Sequence, residues 1–275
     1  MTDQTFVLSS GRRVGVSSLG DPFANRLVVL CHPMPGASGF DPNPLVTRNS
    51  GARVVTFERP GYGSSEPLGE NESRLVQARA DDIAEYLTSD GTQTERAQDL
   101  KIGVVGWGFG GAVALSLAAR HPSLITRVAV VGLAVRALQS AQDEPLPEVE
   151  GDPAEPGPPT FDRASLGIDP TDPMFDLSGL GLRLDHMLAQ AAIQGTVGVE
   201  TDSAAARDLS WVDELGRVNA PTVLIYGDAG GTLGAAAGRW LRKRVPNSRL
   251  VRVRGVGALA IVSVWQKILT HATGN

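Results

Sequence analysis

Ile102 to Ala119 contains no charged residue, yet glycine interrupts it at 103, 106, 108, 110 and 111. A bilayer-spanning helix requires a run of about 20 apolar residues. The glycine spacing argues for a different object. Lys101 to Val105 is a short apolar run of the kind that forms a strand buried on both faces. Ala112 to Arg120 is rich in small residues and forms a helix, and Gly106-Trp107-Gly108-Phe109-Gly110-Gly111 joins the two through a tight turn. Glycine lets the chain enter left-handed backbone space and lets one backbone approach another. The segment therefore predicts a strand, a sharp turn and a helix packed back onto the sheet.

The same alternation continues on both sides. Leu27 to Cys31, Arg53 to Phe57, Val128 to Val131, Thr222 to Tyr226 and Leu250 to Val253 are further short apolar runs, the pattern of parallel strands with both faces covered. Helical stretches at Asp81–Leu87, Ala235–Arg244 and Leu259–His271 separate most of them. Phe6 to Leu8 and Arg13 to Leu19 open the chain as an antiparallel edge. The expected fold class is α/β, a doubly wound, mostly parallel sheet. The alternation stops between Ala134 and Ala220. Residues 1–133 and 221–275 are thus expected to form one core domain, and 134–220 an inserted helical cap or lid. A flexible acidic, proline-rich loop over 141–160 opens that insertion, with six acidic residues, six prolines and no lysine or arginine between Asp143 and Pro159.

At 275 residues and 42% hydrophobic content the chain can bury a full core, and its net charge of −5 disfavours nonspecific nucleic-acid or anionic-membrane binding. A small-molecule partner is expected, with no nucleic acid and no membrane. Cys31 is the one cysteine, which excludes an intramolecular disulfide and a thiolate zinc cluster. No metal and no cofactor is expected. The polar start Met1 to Thr5 lacks the order of a signal peptide, and a cytoplasmic location is expected. Oligomeric state is left open.

Several segments carry a resemblance. His32-Pro33-Met34-Pro35-Gly36-Ala37-Ser38 resembles an H-G-x-P-G-S loop, Glu58 to Ser65 a D-R-P-G-Y-G-x-S turn, and Val104 to Gly111 a V-V-G-W-S-G-G-G turn. Trp211, Pro221 to Asp228 and Gly255-Val256-Gly257 are similar to later landmarks. Together they identify the chain as a member of the α/β-hydrolase superfamily, which implies an α/β-hydrolase fold with a cap. The resemblance also implies where a Ser-acid-His triad belongs. The nucleophile position falls on Gly108, the acid position on Gly230 and the histidine position on Ala258. A triad needs a nucleophile, a base to take its proton and an acid to hold the base. The expected protein is accordingly a pseudoenzyme with a degenerate triad.

Three substitutes enter consideration. Asp228 lies two positions before Gly230 and either serves as the acid after a loop shift or braces its loop. His32 is the histidine expected near the pocket floor, as a base or as a support. Cys31 is adjacent to His32, but neighbouring strand residues point to opposite faces, which favours a buried apolar role. The resemblance further implies an oxyanion-hole-like pair from the backbone N–H groups of Met34 and Phe109. Ligand-binding residues are then Met34, Phe109, His32 and Trp107, with Met187 and Trp211 either as cap walls or as plain packing. The leading functional expectation is a small, partly apolar ligand bound without hydrolysis. Alternatives are a non-serine lyase, isomerase or cyclase, an ordinary ester hydrolase by family membership, and a structural or interaction role.

Overall fold

The computed structural model describes residues 2–89, 101–134, 159–229 and 232–274. Most of the acidic, proline-rich loop and Gly230 lie outside the described residues.

Eight strands form one sheet: β1 (Thr2–Val7), β2 (Arg13–Gly20), β3 (Arg26–Cys31), β4 (Arg53–Phe57), β5 (Lys101–Trp107), β6 (Ile125–Val131), β7 (Thr222–Gly227) and β8 (Ser248–Val253), in the order β1-β2-β4-β3-β5-β6-β7-β8. The β1–β2 and β2–β4 pairs are antiparallel and every later pair is parallel. Alternate residues of each strand serve opposite faces, as period-2 geometry requires. Val104, Val128, Val130 and Leu224 belong to one buried cluster; Val105, Ala129, Val131, Val223 and Ile225 belong to the other. Helices α2 (Val76–Thr88), α3 (Gly110–Arg120) and α6 (Thr232–Arg244) cover the first face. The second is covered by α1 (Pro44–Asn49), α7 (Ala260–Ser263) and α8 (Trp265–Thr273). This is the doubly wound α/β-hydrolase fold expected from the alternation of apolar runs.

Two local expectations need correction. Leu250 to Val253 was expected to be buried on both faces, but β8 is the last strand of the sheet, and Arg249 and Arg252 stand exposed beside half-buried Leu250 and Val251. An edge strand has no neighbour on one side, so its arginines reach water. The single helix expected over Leu259–His271 is two, because Val264 adopts φ −118° and ψ 21° between α7 and α8.

Residues 159–220 carry α4 (Leu180–Ala191) and α5 (Val197–Arg207) with 3-10 segments Ala164–Leu166, Pro173–Asp176 and Ser210–Arg217. Helix α4 buries Leu184, Met187 and Leu188 with Trp107 and Phe40, whereas Trp211 and Leu215 pack on the opposite face of the sheet with α3. Trp211 is therefore a core residue of the α3 layer and does not share a wall with Trp107 and Met187.

A buried ion pair ties this segment to the sheet. Asp202 of α5 is fully buried and accepts from Arg59 Nε at 3.0 and 2.9 Å and from Arg59 Nη2 at 2.6 Å. Arg59 follows β4 and is itself 5% exposed. Breaking a buried pair by removing one partner strands a charge in low dielectric. Asp202→Ala should cost about 3–5 kcal/mol in urea denaturation, and a loss within experimental error would show that the pair does not hold the two parts together.

Candidate functional site

The turn between β5 and α3 is built by close backbone approach. A Cβ on Gly106 would stand 2.4 Å from both Gly110 O and Gly111 Cα, and one on Gly110 would stand 2.2 Å from Cys31 O and 2.5 Å from His32 O. Neither position can carry a side chain unless backbone moves. Gly108, at the apex, differs. Its φ of +54° lies in the left-handed region, while a Cβ there would meet only Pro33, at 3.4 and 3.7 Å. The apex therefore has room for a small side chain and pays for one only in backbone strain. Its N–H donates to Val131 O at 2.9 Å and its carbonyl accepts from Gly111 N–H at 2.9 Å, which pins the turn to β6 and to the first turn of α3.

The loop after β3 abuts this apex through Pro33 and is clamped by Arg59. The guanidinium donates from Nη1 to His32 O at 2.6 Å and from Nη2 to Pro33 O at 2.8 Å, and lies 5.2 Å from the Phe109 ring centroid. One buried cation thus joins the β3 loop, the elbow and α5. His32 is 3% exposed, and both its ring nitrogens are used: Nε2 accepts from Arg59 N–H at 3.2 Å, so Nδ1 carries the proton and donates to Pro33 O at 2.9 Å. Burial first, then the nearby Arg59 charge, push the imidazole well below its ordinary range. It is held neutral. Cys31 is buried too, and burial raises its thiol to about 12 against a smaller opposing effect of Arg59. A thiol held protonated is a poor nucleophile.

The remaining loops approach the elbow through backbone. Trp107 is 4% exposed, stacks on Phe40 with centroids 5.3 Å apart, and donates from Nε1 to Ala258 O at 3.1 Å. Ala258 therefore lies against the elbow strand. Asp228 is exposed; its carboxylate accepts from Gly255 N–H at 2.7 Å, a brace between the loops after β7 and β8. Asp172 also reaches this region, accepting from Gly257 N–H at 3.2 Å.

Of the residues expected to contact ligand, Met34 and Phe109 are half-buried, and among the described residues neither backbone N–H has an acceptor. Two unspent donors beside a helix start can receive a carbonyl or carboxylate oxygen. His32 and Trp107 instead support the loops from within: their polar atoms are spent on backbone and their rings are packed. Arg59 lies in the Glu58 to Ser65 turn that carries the resemblance, but no motif marks its partner Asp202. The signal that points to Asp202 is an acid on the buried face of an amphipathic helix, which is tolerated only beside a partner.

A sequence model of the α/β hydrolase fold matches residues 26–263. The chain belongs to this family. A pimeloyl-[acyl-carrier protein] methyl ester esterase from Aromatoleum aromaticum is 26% identical over 225 residues, 78% of this chain and 83% of that protein. An esterase from Exiguobacterium antarcticum superposes with a TM-score of 0.70 at 16% identity, covering 98% of this chain and 97% of that one. An α/β hydrolase fold protein from Nakamurella multipartita gives 0.68 at 20% identity over the full length of both. These two structural likenesses concern the fold.

Two outcomes follow from the geometry. Gly110→Ala should destabilise the fold by about 2–4 kcal/mol through backbone displacement, and Gly108→Ala by only about 1–2 kcal/mol from its positive φ; equal losses in urea denaturation would contradict the difference in space. For pH, the folded-state imidazoles of His32 and His271 are lowered from 6.5, so the unfolded chain binds their protons first. Stability should be flat in this respect above about pH 7 and fall as pH drops through 6.5, by up to about 1.4 kcal/mol per pH unit for each histidine. His32→Gln should shallow that slope between pH 7.5 and 5.5, and an unchanged slope would mean that His32 is protonated in the fold.

Proposed function

We propose that this chain is a non-hydrolytic member of the α/β-hydrolase family, which binds a small, partly apolar molecule bearing a carbonyl or carboxylate oxygen. Residues 134–220 act as the cap over the core formed by 1–133 and 221–275. The reading rests chiefly on Gly108: the apex where the family's mechanism calls for a nucleophile carries no side chain. Ala258 at the histidine position and Gly230 at the acid position complete the degenerate triad. The Met34 and Phe109 amides receive the ligand oxygen, while Trp107, Met187 and His32 back the site from the packed interior. The neighbouring replacements do not restore the chemistry, since His32 has no free lone pair, Cys31 keeps its proton, and Asp228 is engaged in the open.

Ester hydrolysis is the second reading, favoured by the 26% identical methyl ester esterase. It requires a nucleophile from elsewhere in the chain. Assays with p-nitrophenyl butyrate and a pimeloyl methyl ester should show no turnover above background, and a fluorophosphonate probe should leave the protein unlabelled. Carboxylic acids, aryl ketones and lactones screened by thermal shift should include compounds that raise the Tm, since a ligand bound only by the native state stabilises it. Enzymatic turnover or probe labelling would establish the esterase reading in place of this one. Absence of any stabilising compound would remove the binding role.

A further inference from the structure

A second site lies on the other side of the β3 loop, where α4 leans over β2. The groove there encloses about 480 Å³, within the range of small-molecule sites, and Glu58, Ser17, Ser38, Ser64, His186 and Gln190 contribute to its walls. Glu58, 6% exposed, supplies a carboxylate whose position is closely built. A Cβ on Gly15 would come within 2.0 Å of Glu58 Oε2, and one on Gly63 within 2.1 Å of Oε1, so both residues leave the space that the carboxylate fills. Ser38 Oγ donates to Oε1 at 2.9 Å, and Ser64 donates to Oε2 from N at 2.7 Å and from Oγ at 2.8 Å. Ser17 Oγ extends the chain to Ser38 Oγ at 2.8 Å.

Two features of this network define what it accepts. Among the described residues no lysine, arginine or histidine forms an ion pair with Glu58: Arg59 is committed to Asp202, Arg12 to Glu72 and Asp82, and buried Arg79, which lines a neighbouring cavity with Glu58, donates from Nη1 to Ser73 O. Its hydroxyl protons are also directed. Because Ser38 and Ser64 point their protons at the carboxylate, what they turn outward is lone pairs, and a carboxylate with about four acceptor sites has not exhausted them on three donors. A buried negative charge with acceptor-rich surroundings suits a ligand that brings both positive charge and several N–H donors.

We propose that the groove between α4 and β2 binds a primary ammonium ligand through Glu58 and the Ser38–Ser64 hydroxyls. Benzylammonium is a suitable probe, with benzyl alcohol as its neutral counterpart, measured by calorimetry at neutral pH. The wild-type protein should bind benzylammonium at least about ten-fold more tightly than benzyl alcohol. Glu58→Gln should abolish that preference. His186→Trp, placed on the exposed face of α4, should fill the groove and weaken benzylammonium ten-fold or more even if Glu58→Gln fails to fold. Gly108→Ala should leave the amine affinity unchanged, which separates this groove from the elbow whatever the elbow binds. No binding by the wild type, equal affinity for amine and alcohol, or full affinity in His186→Trp would each overturn the assignment.

Discussion

The Arg59–Asp202 pair is the constraint around which the rest is arranged. Moving two charges out of water is costly, and the cost is met only when geometry is good and the remaining donors are satisfied. Arg59 meets that demand by dividing its donors between the Asp202 carboxylate and the His32 and Pro33 carbonyls. The guanidinium fork is planar and rigid, so it cannot hold those partners without also holding their spacing. The β3 loop, the elbow beneath Phe109 and helix α5 are therefore positioned by a single side chain. Displacing α5 exposes an unpaired charge, which makes the contact close to all-or-none.

The same charge decides the chemistry next to it. A cation beside a buried imidazole opposes protonation, so burial and Arg59 together leave His32 neutral; burial alone keeps Cys31 protonated, against the smaller opposing pull of Arg59. Neither His32 nor Cys31 is thereby poised to transfer a proton beside the elbow. Glycine at the apex fits this environment: at φ +54° it relaxes a conformation that strains other residues, and a Cβ there would meet only Pro33.

Much of the fold was legible because its signals are local. The short apolar runs, the opening antiparallel strands and the glycine turn before a small-residue helix all appear where period and turn chemistry placed them. The departures have physical causes. Leu250 to Val253 looks like a buried strand by composition, yet its place at the sheet edge wets Arg249 and Arg252. His32 and Trp107 are polar-tipped residues beside the elbow, and proximity suggested ligand contact; their hydrogen bonds to backbone show that the tips are consumed in holding loops. Trp211 could not be assigned to a face from the sequence, since the side of the sheet reached by Ser210–Arg217 depends on the path of the whole insertion.

The order of residues alone determined the fold class, the glycine turn and the glycine at position 108, because strand period, glycine spacing and residue identity are properties of neighbours along the chain. Tertiary structure decided which polar groups meet across long separations. Arg59 and Asp202 stand 143 positions apart, and Trp107 and Ala258 are 151 apart. No local pattern encodes such meetings. They arise when packing removes water from groups that must then find one another, and that requirement is imposed by the folded interior as a whole.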